Sequence, residues 1–117
     1  MDIRLAYGKD GLPIRVPDEN LMGVIHMNPI EPVPDVEKAL RDALKNPLGC
    51  QPLSEIARGR QSAVIVISDI TRPVPNKILL PPILETIERA GIPRDKIRIL
   101  IATGIHRPNL GAELVEL

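Results

Sequence analysis

The apolar positions of this chain change period several times, and each change predicts an element. From Ile3 to Val16 apolar and polar residues alternate on either side of Lys9-Asp10-Gly11, the pattern of two short strands joined as an Asp-Gly hairpin. Pro13 and Pro17 make the second strand short or put it at an edge, because proline cannot donate to a ladder. Leu21 to Met27 is a further apolar stretch, read as a strand. Pro29, Pro32 and Pro34 then forbid regular structure until about Asp35. There the period becomes helical. Asp35 can cap a helix that sets Val36, Ala39, Leu40, Ala43 and Leu44 on one face, stopped by Asn46-Pro47 and Gly49. A second short helix is expected from Pro52 to about Arg58, with Leu53, Ile56 and Ala57 inward and Gly59 ending it.

Ala63 to Ser68 is continuously apolar rather than alternating, which is the mark of a strand covered on both faces in a parallel sheet. A helix follows, centred on Ile83, Leu84, Ile87 and Ala90 and stopped by Gly91-Ile92-Pro93. Pro81 and Pro82 predict a separate first turn or a kink if that helix starts as early as Asn76. Ile97 to Ala102 is a second buried strand. Strand, helix, strand in this order is a βαβ unit. The pattern therefore predicts an α/β fold: a βαβ-containing, Rossmann-like mixed sheet with an N-terminal β-hairpin and helices flanking the sheet. The chain closes on Glu113-Leu114-Val115-Glu116-Leu117, which reads as the first turns of an amphipathic helix cut short. Residues 1–117 are thus expected to be an α/β domain, the front piece of a longer protein.

Composition narrows the possible partners. A chain of 117 residues suits one compact domain. Fifteen basic and fifteen acidic residues balance, and Tyr7 is the one aromatic, so neither a basic footprint nor a stacking platform for bases is present. Nucleic acid is excluded as a partner on these grounds. The apolar runs are strand-length, far below a membrane span, and no apolar leader segment follows Met1, so a cytoplasmic protein without a membrane partner is expected. Cys50 is the lone cysteine, read as a buried free thiol.

Chemistry concentrates where the two buried strands end. Parallel strands finish on the same edge of a sheet, so the residues after Ser68 and after Ala102 are expected to share a crevice, which is where open α/β sheets bind ligands. The first tip carries Ser68-Asp69-Ile70-Thr71-Arg72-Pro73-Val74-Pro75. Asp69 can cap its own turn, and Arg72 can pair with it. Alternatively, the prolines hold Arg72 extended so that its planar fork meets a carboxylate or phosphate. The second tip carries Thr103-Gly104-Ile105-His106-Arg107-Pro108, and an imidazole there suits proton transfer near neutrality. His26, in an apolar stretch without polar neighbours, reads as a surface or satisfied histidine. No Walker or Rossmann glycine loop, no Gly-x-Ser-x-Gly elbow and no metal-ligand spacing occurs, so these enzyme classes drop out.

Together, the segment from Ser68 to Pro75 and the segment from Ala102 to Pro108 resemble the N-terminal domain of the lactate racemase family, enzymes that use a nickel-pincer nucleotide. Asn46-Pro47-Leu48-Gly49, Leu53 to Gly59 and Glu113-Leu114-Val115 follow in family-like order. The resemblance implies racemisation or epimerisation of a 2-hydroxy acid, lactate or a related acid. A histidine would take the hydroxyl proton while hydride leaves C2 and later returns to either face. His106 matches the first of the family's two catalytic histidines. Asp69, Ile70, Thr71 and Arg72 match the loop that holds the cofactor, nickel pyridinium-3,5-bisthiocarboxylic acid mononucleotide. The lysine that tethers the cofactor, the nickel-binding histidine and the second catalytic histidine fall beyond Leu117 in such proteins, so the fragment alone is expected to be inactive. Two departures stand out. Ile70 occupies a position where the motif commonly has histidine, and Asn109-Leu110-Gly111-Ala112 replaces a hydroxyl-rich helix start, leaving no capping box. The rival readings are a non-catalytic anion- or nucleotide-binding α/β domain and a structural α/β module whose polar tips are only turns.

Overall fold

The computed structural model describes residues 1–117, which divide into two compact units, Met1–Pro32 and Val33–Leu117, each described here by itself. In the first, β1 (Asp2–Leu5) and β2 (Leu12–Arg15) form the expected antiparallel hairpin, with Ile3 opposite Ile14 and Asp2 opposite Arg15. Ile3 and Ile14 are the half-buried positions of the two strands, while their neighbours face outward, as a one-sided ribbon requires. The Arg15 side chain donates to both carboxylate oxygens of Asp2 across the ladder. A single 3₁₀ turn follows at Asp18–Asn20.

Leu21 to Met27 is not a strand. A strand needs a partner for its backbone groups, and this stretch pairs with neither strand of the hairpin. Met22, Ile25 and Met27 are almost fully exposed, and His26 in the same stretch is exposed too.

The second unit is built on the predicted βαβ path. α1 (Val36–Lys45) starts where expected, with Asp35 accepting the Lys38 N–H on its side chain at 2.9 Å. α2 (Leu53–Ala57) leads into β3 (Ala63–Ser68), α3 (Asn76–Arg89) and β4 (Ile97–Ala102), and a short α4 (Glu113–Glu116) ends the chain. β3 and β4 pair in parallel, Ala63 with Ile97 through Ser68 with Ala102. Ala57, Ile87 and Ile92 are the buried core, joined by Leu53, Ala63, Ile65, Ile83, Ala90 and Ile97.

Several expectations are corrected. The hairpin and the β3–β4 pair are separate two-stranded sheets, so no mixed sheet exists. β3 is covered on one face only: Ala63 and Ile65 meet the core, whereas Val64 and Val66 remain 61% and 63% exposed. The helices that supply the core, α2 and α3, pack against the first of these faces, and register puts the half-exposed Leu100 on the open one. Ile56 also faces outward, because the five-residue α2 turns only Leu53 and Ala57, one turn apart, onto the core. Cys50 is exposed, lying in the turn after Gly49 rather than on a packed element.

α3 begins at Asn76 and runs without interruption through Pro81 and Pro82. The two prolines deprive the carbonyls of Lys77 and Ile78 of their helical donors. Both of those residues are exposed, where water can take the place of the missing N–H groups. The helix ends in a Schellman motif: Gly91, at φ 105°, lets its N–H reach the Glu88 carbonyl and the Ile92 N–H reach the Ile87 carbonyl. That turn folds Ile92 back beside Ile87, and Ile92 becomes the most buried residue of the chain at 2% exposure. Ile92→Ala is therefore expected to cost about 2–4 kcal/mol, a transfer term plus a cavity term. A urea unfolding midpoint unchanged from wild type would show that Ile92 is not a core residue.

No helix is long and apolar enough to cross a membrane.

Candidate functional site

Because Ser68 and Ala102 are register partners, the chain leaves β3 and β4 side by side and on one edge. Each exit is shaped locally. After β3, the Arg72 N–H closes a turn onto the Asp69 carbonyl, and Asp69 Oδ1 accepts the Thr71 N–H at 3.1 Å, an Asx turn. Two three-residue turns follow, with Val74 N–H donating to the Arg72 carbonyl and Asn76 N–H to the Val74 carbonyl, each closing around a proline. After β4, Gly104 at φ 58° allows the reversal in which His106 N–H donates to the Thr103 carbonyl. The imidazole of His106 is thereby carried back toward the first tip.

The two tips meet side chain to side chain. His106 Nδ1 lies 2.5 Å from Asp69 Oδ2, a pair separated by 37 residues in sequence. Asp69 is only 4% exposed, and its other oxygen accepts the Thr71 hydroxyl at 2.6 Å. These contacts hold the Asp69 carboxyl below the usual carboxylate range: the Thr71 hydroxyl bond contributes most, then the His106 bond, against an opposing effect of burial. An ionised Asp69 can only accept, so His106 carries its proton on Nδ1 and presents the Nε2 lone pair away from the pair. The imidazole itself is 43% exposed, open to a reactant.

Ser68, Asp69, Arg72 and the run from Ala102 to His106 line one open depression of about 410 Å³. Arg72 donates to the Thr71 hydroxyl at 3.2 Å, its one side-chain hydrogen bond, and pairs with no carboxylate. A base with a free nitrogen and an uncommitted guanidinium thus share one concavity. Such an arrangement can hold an anion and move a proton beside it. A depression of similar size between α1 and α3 differs in kind, since Arg41 there is already bonded to Glu37 and Glu85.

Of the residues singled out from sequence, Asp69, Arg72 and His106 come together around the depression, whereas Ile70 and Thr71 do not line it. Ile70 is half-buried and contributes its backbone N–H, which donates to Asn109 Oδ1 at 3.3 Å. The sequence pattern marks Asn109 only as part of a missing capping box, yet it is 7% exposed and bonded on both sides. Its Nδ2 donates to Glu113 Oε2 at 3.1 Å, and Glu113 accepts two further bonds from the Arg107 fork at 2.6 and 2.9 Å. The local signal was an asparagine four residues before an acid, which gives no hint of a contact reaching back to residue 70.

The Arg107 fork first, and Asn109 second, hold the Glu113 carboxyl down from 4.5 to about 2. A carboxyl depressed on folding stabilises the fold fully above its unfolded value and loses that contribution as pH falls through its folded value. Glu113 should therefore make stability fall with pH between 4.5 and about 2. Glu113→Gln is expected to flatten that slope in acid unfolding followed by circular dichroism. Superimposable curves for variant and wild type would contradict the pairing.

Comparison with known proteins shows the family of the chain. Residues 7–117 match the family model described as the lactate racemase N-terminal domain. A lactate racemase of Lactiplantibacillus plantarum is 40% identical over 119 residues, covering 97% of this chain and 27% of that protein. A lactate racemase of Thermoanaerobacterium thermosaccharolyticum is 37% identical over 113 residues, covering 91% and 25%. The solved lactate racemase apoprotein from Thermoanaerobacterium thermosaccharolyticum superposes with a TM-score of 0.74 at 35% identity, over 99% of this chain and 26% of that one. The chain spans about a quarter of the length of these relatives.

Proposed function

The chain belongs to the lactate racemase N-terminal domain family, and from that premise we propose that it is the N-terminal α/β domain of a longer, two-domain racemase or epimerase of 2-hydroxy acids. The observation that carries this reading is the Asp69–His106 pair standing in one depression with the unpaired Arg72 guanidinium. In it, His106 Nε2 takes the hydroxyl proton of the bound acid, and Asp69 stabilises the imidazolium that results. His106 serves one enantiomer in this scheme, and a second histidine outside these 117 residues serves the other. Removing the O–H proton raises electron density on oxygen, which is what expulsion of hydride from C2 requires.

The cofactor in this reading is a nickel-pincer nucleotide, and the chemistry supplied by the bound group is reversible storage of that hydride. The residues here fit its anionic part. Arg72 lines the depression with no carboxylate of its own, and can bond a phosphate or a nearby carboxylate in bidentate fashion. No group of three or more His, Cys, Asp or Glu side chains is disposed here to hold a metal. The share of the site assigned to this chain is therefore proton transfer and anion binding, and the 117 residues alone are expected not to racemise.

A chiral assay of the full-length, cofactor-loaded protein against a panel of 2-hydroxy acids tests the reading. Interconversion of at least one pair of enantiomers is expected; inertness of the loaded protein toward every member would overturn it. Arg72→Ala should leave the domain folded but lower the nickel and nucleotide retained after gel filtration. Retention at the wild-type level would remove Arg72 from the cofactor site.

A further inference from the structure

We infer that Asn109 and Glu113 are positioning residues: Asn109 ties the Asp69 tip to the His106 tip, and Glu113 fixes which way the Asn109 amide faces. The inference deepens the reading above and rests on His106 being the proton-transfer group.

The two tips belong to different strands, and the β3–β4 ladder stops at Ser68 and Ala102. Beyond it the Asp69–His106 contact joins the tips, and it is the contact that chemistry must use and therefore load and unload with a proton. Asn109 provides a second connection that does not titrate. It follows His106 by three residues on the β4 side, and its Oδ1 accepts the N–H of Ile70, the residue directly after Asp69. Asn109 is more than nine-tenths buried, and without its oxygen the Ile70 N–H would lose that partner at a half-buried position.

An amide can bond in either of two orientations, and only one works here. Reversed, it would set Nδ2 against the Ile70 N–H, donor to donor, and Oδ1 against the Glu113 carboxylate, acceptor to acceptor. Glu113 decides between them because it is an obligate acceptor, kept ionised by the two bonds from Arg107. The order of influence runs from Arg107 to Glu113 to Asn109 to the Ile70 amide, and so to the backbone that carries Asp69. None of these groups needs to touch a reactant.

The test is nuclear magnetic resonance on the full-length protein, with His106 tautomer read from ring ¹⁵N shifts and Ile70 protection from amide exchange. Wild type should show His106 protonated at Nδ1 and a protected Ile70 N–H. Asn109→Asp places a second carboxylate against Glu113, so Ile70 protection should fall at least tenfold and the Nδ1–H population should drop. Adding Glu113→Gln to Asn109→Asp gives the new carboxylate an amide donor, and protection should recover toward wild type. A single variant that is folded by circular dichroism with unchanged tautomer and protection would overturn the tie between the tips. A double variant no better than the single one would overturn the role of Glu113. Neither readout depends on turnover, so racemisation could fail in the longer protein while this result stands, and the converse holds equally.

Discussion

His106→Ala, made in the full-length holoenzyme, is expected to lower the interconversion rate of one or both 2-hydroxy acid enantiomers by roughly 10²–10⁴-fold, the usual worth of a placed acid–base group. Alanine removes the Nε2 that takes the hydroxyl proton. The fold should survive, because the imidazole is 43% exposed and His106 lies in a turn held by its own backbone N–H bond to Thr103. Chiral chromatography of the product mixture is the measurement, with circular dichroism as the control for folding. Removing a group that merely caps a turn would leave the rate unchanged, and that outcome would strike His106 from the mechanism.

Asp69→Asn carries the second largest effect. Its oxygens are divided between Thr71 and His106, so the change alters the partner of Nδ1 while keeping the shape of the side chain. Asparagine offers one acceptor and one donor where aspartate offers two acceptors. If the amide nitrogen faces His106, the proton moves to Nε2 and the base is lost; if the oxygen does, the imidazolium loses its counter-charge. Either way kcat should fall by roughly 10²-fold, toward the lower end of the acid–base range, with KM changed far less. The folded pKa of Asp69 is depressed, so its stabilising contribution is present above its unfolded value and fades as acid protonates it. The variant should lose that part of the acid dependence as well. Wild-type kcat in Asp69→Asn would mean that His106 works without its neighbour.

Much of the architecture was legible because it rests on local causes. Asp35 announces its helix by a side chain that reaches its own first turn, and Gly91-Ile92 ends another by conformational freedom followed by an apolar residue. The parallel pairing of Ala63–Ser68 with Ile97–Ala102 follows from two apolar runs joined by one helix, and that pairing brought Asp69, Arg72 and His106 into one depression. What stayed hidden depends on neighbours distant in sequence. Leu21 to Met27 has strand composition but no strand to join. Val64 and Val66 are apolar in the manner of a doubly covered strand, yet the helices described here pack on the opposite face. Asn109 bonds a backbone group 39 residues away, and no periodicity encodes such a contact. The direct Asp69–His106 bond is of the same kind: sequence placed both residues on one edge and left open what each would touch.

Ile70 joins the legible to the hidden. A histidine commonly stands at this point of the motif that the chain resembles, and here the side chain is aliphatic, half-buried and outside the lining of the depression. Its backbone N–H is engaged all the same. The position thus keeps a structural use while offering no ionisable group.

The central claim is that His106 moves a proton on oxygen while the hydrogen on C2 travels as hydride. Racemisation by the full-length holoenzyme in deuterium oxide tests it most directly, with the products read by mass spectrometry and proton resonance at C2. The account predicts interconverted enantiomers that retain their original hydrogen at C2. Deuterium at C2 in the converted enantiomer would show that a base removes the carbon-bound hydrogen as a proton, and would contradict the role assigned to His106.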